Sequence, residues 1–118
     1  MPTILIIEED EILRRTLELI LSRDGYKVLD TGFGDVGVKL AVSEKPDLIL
    51  VGVKLPVIGG FEVCRFIRNT GIQTPIIMLS SHVEPNHNQL MMDSGFNASI
   101  MKPFGMQELK EKVGHYLQ

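Results

Sequence analysis

Residues 46–56, PDLILVGVKLP, constrain this chain more than any other stretch. An apolar run at 48–51 stands between Pro-Asp and Lys-Leu-Pro. Such a run, without polar alternation, is how a strand buried on both faces of a parallel sheet reads. A strand covered on both faces needs helices above and below it, which points to a layered α/β domain. In open sheets of this kind, ligands bind beyond the carboxyl ends of the central strands. Position 52 or 53 then faces the site, and Gly52 and Val53 carry no ligating or nucleophilic group.

The rest of the chain alternates in the same way. The β-branched run at 3–7 stops at Glu8, Glu9, Asp10 and Glu11, an acidic cluster where a strand end meets a helix start. Ile12, Leu13, Thr16, Leu17, Ile20 and Leu21 then recur at helical spacing until Gly25 stops the helix. A strand at 27–31 follows. The helix at 35–44 is weaker, with Val36, Leu40 and Ala41 expected inward and Gly37 lowering its propensity. Beyond the third strand, Pro56, Gly59 and Gly60 mark a loop into a helix at 61–69 whose apolar face is Val63, Cys64, Phe66 and Ile67.

A fourth apolar run at 76–79 ends at Ser80 and Ser81, and residues 85–94 form a poorly patterned helix with Leu90, Met91 and Met92. The fifth strand, 99–101, runs into Lys102-Pro103-Phe104. Met106, Leu109, Val113, Tyr116 and Leu117 define a final amphipathic helix with Gly105 at its N-cap and Glu108 at N3. His82, His87 and His115 show no ligand spacing and are expected at the surface.

Five strands alternating with five helices imply a doubly wound parallel sheet. Right-handed crossovers leave few strand orders, of which 2-1-3-4-5 is among the commonest. That order places Glu8, Glu9, Gly52, Val53, Ser80 and Lys102 at one end of the sheet. All 118 residues are expected to form one domain, large enough to hold a core without staples. Cys64 is the only cysteine, so no internal disulfide can form, and its helical position reads as a buried thiol. The net charge of -3 argues against direct nucleic-acid binding by this domain. No apolar run is long enough for a membrane span, and the expected location is the cytoplasm.

ILIIEEDE, PDLILVGVKLPVIGGFEVCRFIR, TPIIMLSS and MKPF, in this order, resemble the receiver domain of bacterial two-component response regulators, over the whole chain. The resemblance implies a flavodoxin-like, three-layer fold. It also implies an acidic pair that holds Mg²⁺, an aspartate on the third strand that accepts a phosphoryl group from a histidine kinase, a hydroxyl and a lysine that contact that group, and a switching aromatic residue.

Carried over position by position, Glu8 and Glu9 fall on the acidic pair, Ser80 on the hydroxyl and Lys102 on the lysine. Gly52 falls on the acceptor aspartate, Ser99 on the switch aromatic, and Gly59 on a loop position that is often Asp. Both the input residue and the lever are missing, so Glu8 and Glu9 are expected to hold Mg²⁺ weakly at best, with no other cofactor. Lys102 is expected to pair with Glu9 or Glu8 instead, and Lys102-Pro103 matches the family's cis peptide.

The implied function is that of a pseudo-receiver in two-component or phosphorelay signalling, not an enzyme. It would act by phosphorylation-independent contact with a protein partner, or with a second copy, through the face formed by the fourth helix, fifth strand and fifth helix. Met91, Met92, Ser99, Lys110 and Lys112 are candidates for that face. The alternatives are a phospho-responsive receiver with an unusual acceptor (Ser80, Ser81 or Asp10), a receiver regulating an output domain absent from this chain, and a small-ligand pocket at the switch point.

Overall fold

The computed structural model describes residues 1–81 and 87–118. Strands β1 (Thr3–Ile7), β2 (Lys27–Thr31), β3 (Leu48–Gly52), β4 (Ile76–Ser80) and β5 (Ala98–Met101) form one parallel sheet in the order β2-β1-β3-β4-β5. Between and after them lie α1 (Glu11–Arg23), α2 (Gly34–Glu44), α3 (Gly60–Asn69), α4 (His87–Ser94) and α5 (Met106–Tyr116). The doubly wound 2-1-3-4-5 architecture read from the sequence is the one observed.

Successive strand residues point to opposite faces, and this divides the core in two. Leu5, Ile7, Ile49, Val51, Ile76 and Met78 pack with Val63, Cys64 and Ile67 of α3 on one face. Ile4, Ile6, Leu48, Leu50, Ile77 and Leu79 pack with Leu17 and Leu21 of α1 and Leu109 and Val113 of α5 on the other. Every residue of β3 and β4 is buried, whereas the edge strands β2 and β5 are partly exposed. The apolar run at 48–51 is therefore the central strand of the sheet.

Helix ends follow their local chemistry. The Asp10 carboxylate accepts from the Ile12 and Leu13 amides at 2.9 and 3.2 Å and caps α1. Gly25, at φ 95°, takes the left-handed turn that ends it. Gly105 is the N-cap of α5, with no side-chain cap bond. The Lys102-Pro103 peptide is cis.

Several inward assignments need correction. Ile12 is 80% exposed; it lies in the first turn of α1, before the buried stripe of Leu17 and Leu21 begins. Thr16 is exposed too, its hydroxyl donating to the Ile12 carbonyl at 2.8 Å. In α2 the buried stripe is Gly34, Gly37 and Ala41, so Val36 is rotated off it and exposed. Gly37 is there for close packing, since a Cβ would stand 2.5 Å from Ile7 Cδ1. In α3 the stripe is Gly60, Val63, Cys64 and Ile67, an i, i+3, i+4, i+7 set that leaves Phe66 outside.

His87 is buried at the start of α4, contrary to its surface assignment, while His115 is exposed. His82 and the first residues of the expected fourth helix lie outside the described residues. Cys64 is fully buried, and burial pushes its thiol up to about 11, which makes it inert at neutral pH.

Candidate functional site

The carboxyl ends of β1, β3, β4 and β5 converge, which places Glu8, Gly52, Ser80 and Lys102 around one point. Parallel register fixes the approach: Ile7 stands beside Val51, Gly52 beside Leu79, and Ser80 beside Met101. The last residues of β3 and β4 and the first residues after β1 and β5 are thereby delivered to the same rim.

Glu8 is fully buried. One carboxylate oxygen, Oε2, accepts from the Asp10 amide at 3.0 Å. The other, Oε1, lies 2.8 Å from Lys102 Nζ, an ion-pair contact that lacks the alignment of a hydrogen bond. Of the two partners expected for Lys102, the structure selects Glu8. Glu9, in contrast, is exposed. Burial, then the adjacent Glu9 carboxyl, push Glu8 up to about 7, against the pull of Lys102 and the Asp10 amide.

The space that a side chain at position 52 would enter is already taken. A Cβ on Gly52 would stand 2.7 Å from Glu8 Oε1 and 3.0 Å from Glu9 Oε1. The switch-point space considered for a small ligand is thus lined by carboxylates. Ser80 is buried at the end of β4 and engaged in a contact of its own.

Two supports of this rim were invisible in the sequence pattern. Arg14 donates from its guanidinium to the Glu8 carbonyl at 2.8 Å and to Asp30 Oδ1 at 3.2 Å, tying the end of β1 to β2. Its partners lie on neighbouring strands, so helical periodicity could not reveal it. In the β3–α3 loop, Val57 has φ 74° and the Ile58 amide donates to the Pro56 carbonyl at 2.9 Å, a strained γ-turn. A β-branched residue gives no turn signal, although the flanking Pro56 and Gly59 marked the loop. The loop then returns through Gly60, whose amide donates to the Val53 carbonyl at 2.8 Å. A Cβ at Gly60 would collide with the Gly52 carbonyl.

On the far side of Lys102, a groove of about 690 Å³ runs between α1 and α5. Leu13, Leu17, Phe104 and Leu109 line it, with Ser81 and Lys102 at its polar end. Around β5 the candidate residues divide between exposed and engaged positions. Lys112 Nζ donates to the Ser99 carbonyl at 3.2 Å, and Met92 is 70% exposed. Met91 packs against the core, however, and Lys110 lies 3.4 Å from Asp24 Oδ1 at the end of α1, away from that face.

A parallel 2-1-3-4-5 sheet with acidic, hydroxyl and lysine side chains at the carboxyl rim defines a receiver-type α/β domain. The family model of the response regulator receiver domain matches residues 4–114, and the chain belongs to that family. It is 43% identical over 113 residues to the transcriptional regulatory protein AfsQ1 of Streptomyces coelicolor, covering 96% of this chain and 50% of that protein. It is 34% identical over 110 residues to the alkaline phosphatase synthesis transcriptional regulatory protein PhoP of Bacillus subtilis, covering 93% of this chain and 46% of that one. The chain therefore spans about half the length of these curated relatives. Among solved structures, a CheY-like response regulator receiver domain protein from Methanospirillum hungatei superposes with a TM-score of 0.94 at 26% identity, covering 99% of this chain and 94% of that one.

The family implies a magnesium ion, and the residues present do not fit one. Mg²⁺ asks for several hard oxygen ligands in near-octahedral array. Here Gly52 supplies no side-chain oxygen, and an ammonium already lies against Glu8 Oε1. Among the described residues, no group of three or more His, Cys, Asp or Glu side chains is arranged to hold a metal.

Proposed function

We propose that this receiver is a pseudo-receiver, a signalling module that works through protein contact without aspartyl phosphorylation. The observation that carries the reading is Gly52 at the end of β3, with the Glu8 carboxylate in the space an acceptor side chain would need. Phosphoryl transfer to an aspartate needs an in-line carboxylate and a metal that offsets charge on the phosphoryl group. Neither role is filled by the residues at this rim. Among the alternative acceptors, Asp10 is committed to capping α1 and Ser80 is buried.

The partner surface we favour is the α4–β5–α5 face, docking a protein or a second copy of the chain. Exposed Met92 and Met101 support it, because methionine suits adaptable binding surfaces. The net charge of -3 argues against direct nucleic-acid contact by this domain. Among the described residues, no helix is long and apolar enough to cross a membrane. We place the module in the cytoplasm, as part of a two-component or phosphorelay pathway, without enzymatic activity of its own.

The test is an amide NMR titration of the labelled domain with millimolar Mg²⁺ and then beryllofluoride. The expected result is no displacement of the Glu9, Gly52, Ser80 and Lys102 signals. Shifts at the rim that spread into β5 would overturn the reading.

A further inference from the structure

The misfit between this rim and a magnesium ion has a specific form. The carboxylate missing from β3 has been replaced, in space, by one from β1. Glu8 Oε1 lies 2.7 Å from where a Cβ of residue 52 would stand and 2.8 Å from Lys102 Nζ, while Glu8 itself is fully sequestered from solvent. The neighbouring Glu9 also reaches toward position 52, but it is exposed and water can screen it. Only one of the two acidic residues is thus placed to hold the lysine in a low-dielectric setting.

We infer that Glu8 is a positioning residue that stands in for the absent acceptor carboxylate, holding Lys102 and the β5–α5 turn in one fixed arrangement. Two further features support the assignment. The Glu8 main chain is itself held, since its carbonyl accepts from Arg14 and its amide donates to the Thr31 carbonyl at 3.0 Å. Lys102 is also tied at its backbone, its amide donating to the Ser80 carbonyl, and its side chain forms part of the wall of the α1–α5 groove. The ion pair therefore connects the buried rim to a surface that a partner could touch. The inference rests on the pseudo-receiver reading and adds a role for a residue that reading leaves idle.

Sterically, a side chain at position 52 is not forbidden. The atoms it would meet are the tips of two glutamates, which can rotate away. What rotation removes is the partner of Lys102, so a new carboxylate at 52 should be able to take over when Glu8 cannot serve. This gives a rescue experiment.

The side-chain ¹⁵Nζ signal of Lys102 and the amides of Met101, Phe104 and Gly105 are recorded at pH 8 for the wild type, E8Q, E9Q, and E8Q combined with G52D. Stability is a poor readout here, because exchanging a buried carboxylate for an amide removes desolvation cost together with pairing. The expected result is that E8Q shifts all of these signals, E9Q shifts them much less, and adding G52D to E8Q returns most of the change. If E8Q moves Lys102 no more than E9Q does, or if G52D returns none of the change, the inference is overturned.

Should E8Q fail to fold, E8D retains the charge but shortens the reach by one methylene. It is expected to release Lys102 and to be rescued by G52D in the same way, and an unmoved Lys102 in E8D overturns the inference equally. Failure of the two readings is distinguishable. A wild type that answers beryllofluoride while E8Q still frees Lys102 overturns the pseudo-receiver and leaves the pairing intact; a silent wild type with Lys102 unmoved in E8Q does the reverse.

Discussion

Arg68 and Glu8 sit at opposite ends of the same sheet and are treated in opposite ways. At the amino ends of β4 and β5, the Arg68 guanidinium donates to the carbonyls of Gly95, Ile72 and Thr74 at 3.0, 3.0 and 2.7 Å and to Asn97 Oδ1 at 2.8 Å. Asn97 Oδ1 in turn accepts from the Ile76 amide at 2.9 Å, so the cluster staples α3 to the first residues of two strands. At the carboxyl ends, Glu8 has one aligned hydrogen bond and one ammonium contact, and Val57 nearby sits in a left-handed conformation. The Arg68 guanidinium is met by aligned acceptors on every side, which is what a stability element needs. The other keeps a buried charge incompletely matched and a strained loop, which is where functional rims are found.

The largest effect is expected for Arg68→Ala. It removes the guanidinium donor from three carbonyls and from Asn97 Oδ1, which keeps the Ile76 amide, and the expected loss is about 3 kcal/mol of unfolding free energy, measured by urea denaturation. A loss no larger than that of an exposed surface arginine would show that the amino end is not the stabilising one.

The second concerns pH. Because the folded state raises Glu8 from 4.5 to about 7, the native protein holds a proton that the unfolded chain has released across that interval. The stability this contributes is fully present below about pH 4.5 and is lost as pH rises through about 7, a change on the order of 3 kcal/mol. Denaturation at a series of pH values should show this slope in the wild type and a flatter profile in Glu8→Gln. Arg68→Ala should retain the slope, since the contacts of Arg68 lie at the other end of the sheet from Glu8. An unchanged slope in Glu8→Gln would move its origin elsewhere.

The smallest effect is at Val57. Glycine tolerates φ near 74° without a Cβ penalty, and it adds freedom to the unfolded chain. Relief of strain is the larger of the two, so Val57→Gly is expected to stabilise by about 0.5–1 kcal/mol, seen as a higher urea midpoint at unchanged slope. Destabilisation would mean that the loop carries no strain and would weaken the contrast between the two ends.

The legible parts of this molecule were those governed by short-range pattern. All five strands lie within a residue of their expected ends: the inner strands because double coverage leaves no polar alternation to misread, the edge strands β2 and β5 because Gly25, Gly32 and Lys102-Pro103 bound them. Helix faces were less legible. Ile12, Val36 and Phe66 are apolar residues beside a buried stripe, and the sequence could not tell how wide that stripe is. In α2 the stripe runs through two glycines, whose packing role at Ile7 and Ile58 depends on neighbours distant in the chain. The direction of Lys110 was illegible for a related reason: it is set by Asp24, far away in sequence.

The candidate site divides along the same line. That Glu8, Gly52, Ser80 and Lys102 share one rim follows from strand ends and strand order, and Gly52 without a side chain is a fact of the sequence alone. Which carboxylate pairs with Lys102, and whether the room at position 52 stays empty, depend on burial and on side-chain reach. Those are decided when β1, β3 and β5 come together, because a glutamate at the end of the neighbouring strand can enter a space that only packing creates. Sequence determined which groups are present and at which end of the sheet. Tertiary structure decided which of them touch, since the Coulombic and desolvation terms that choose between Glu8 and Glu9 arise only once one is buried and the other is not.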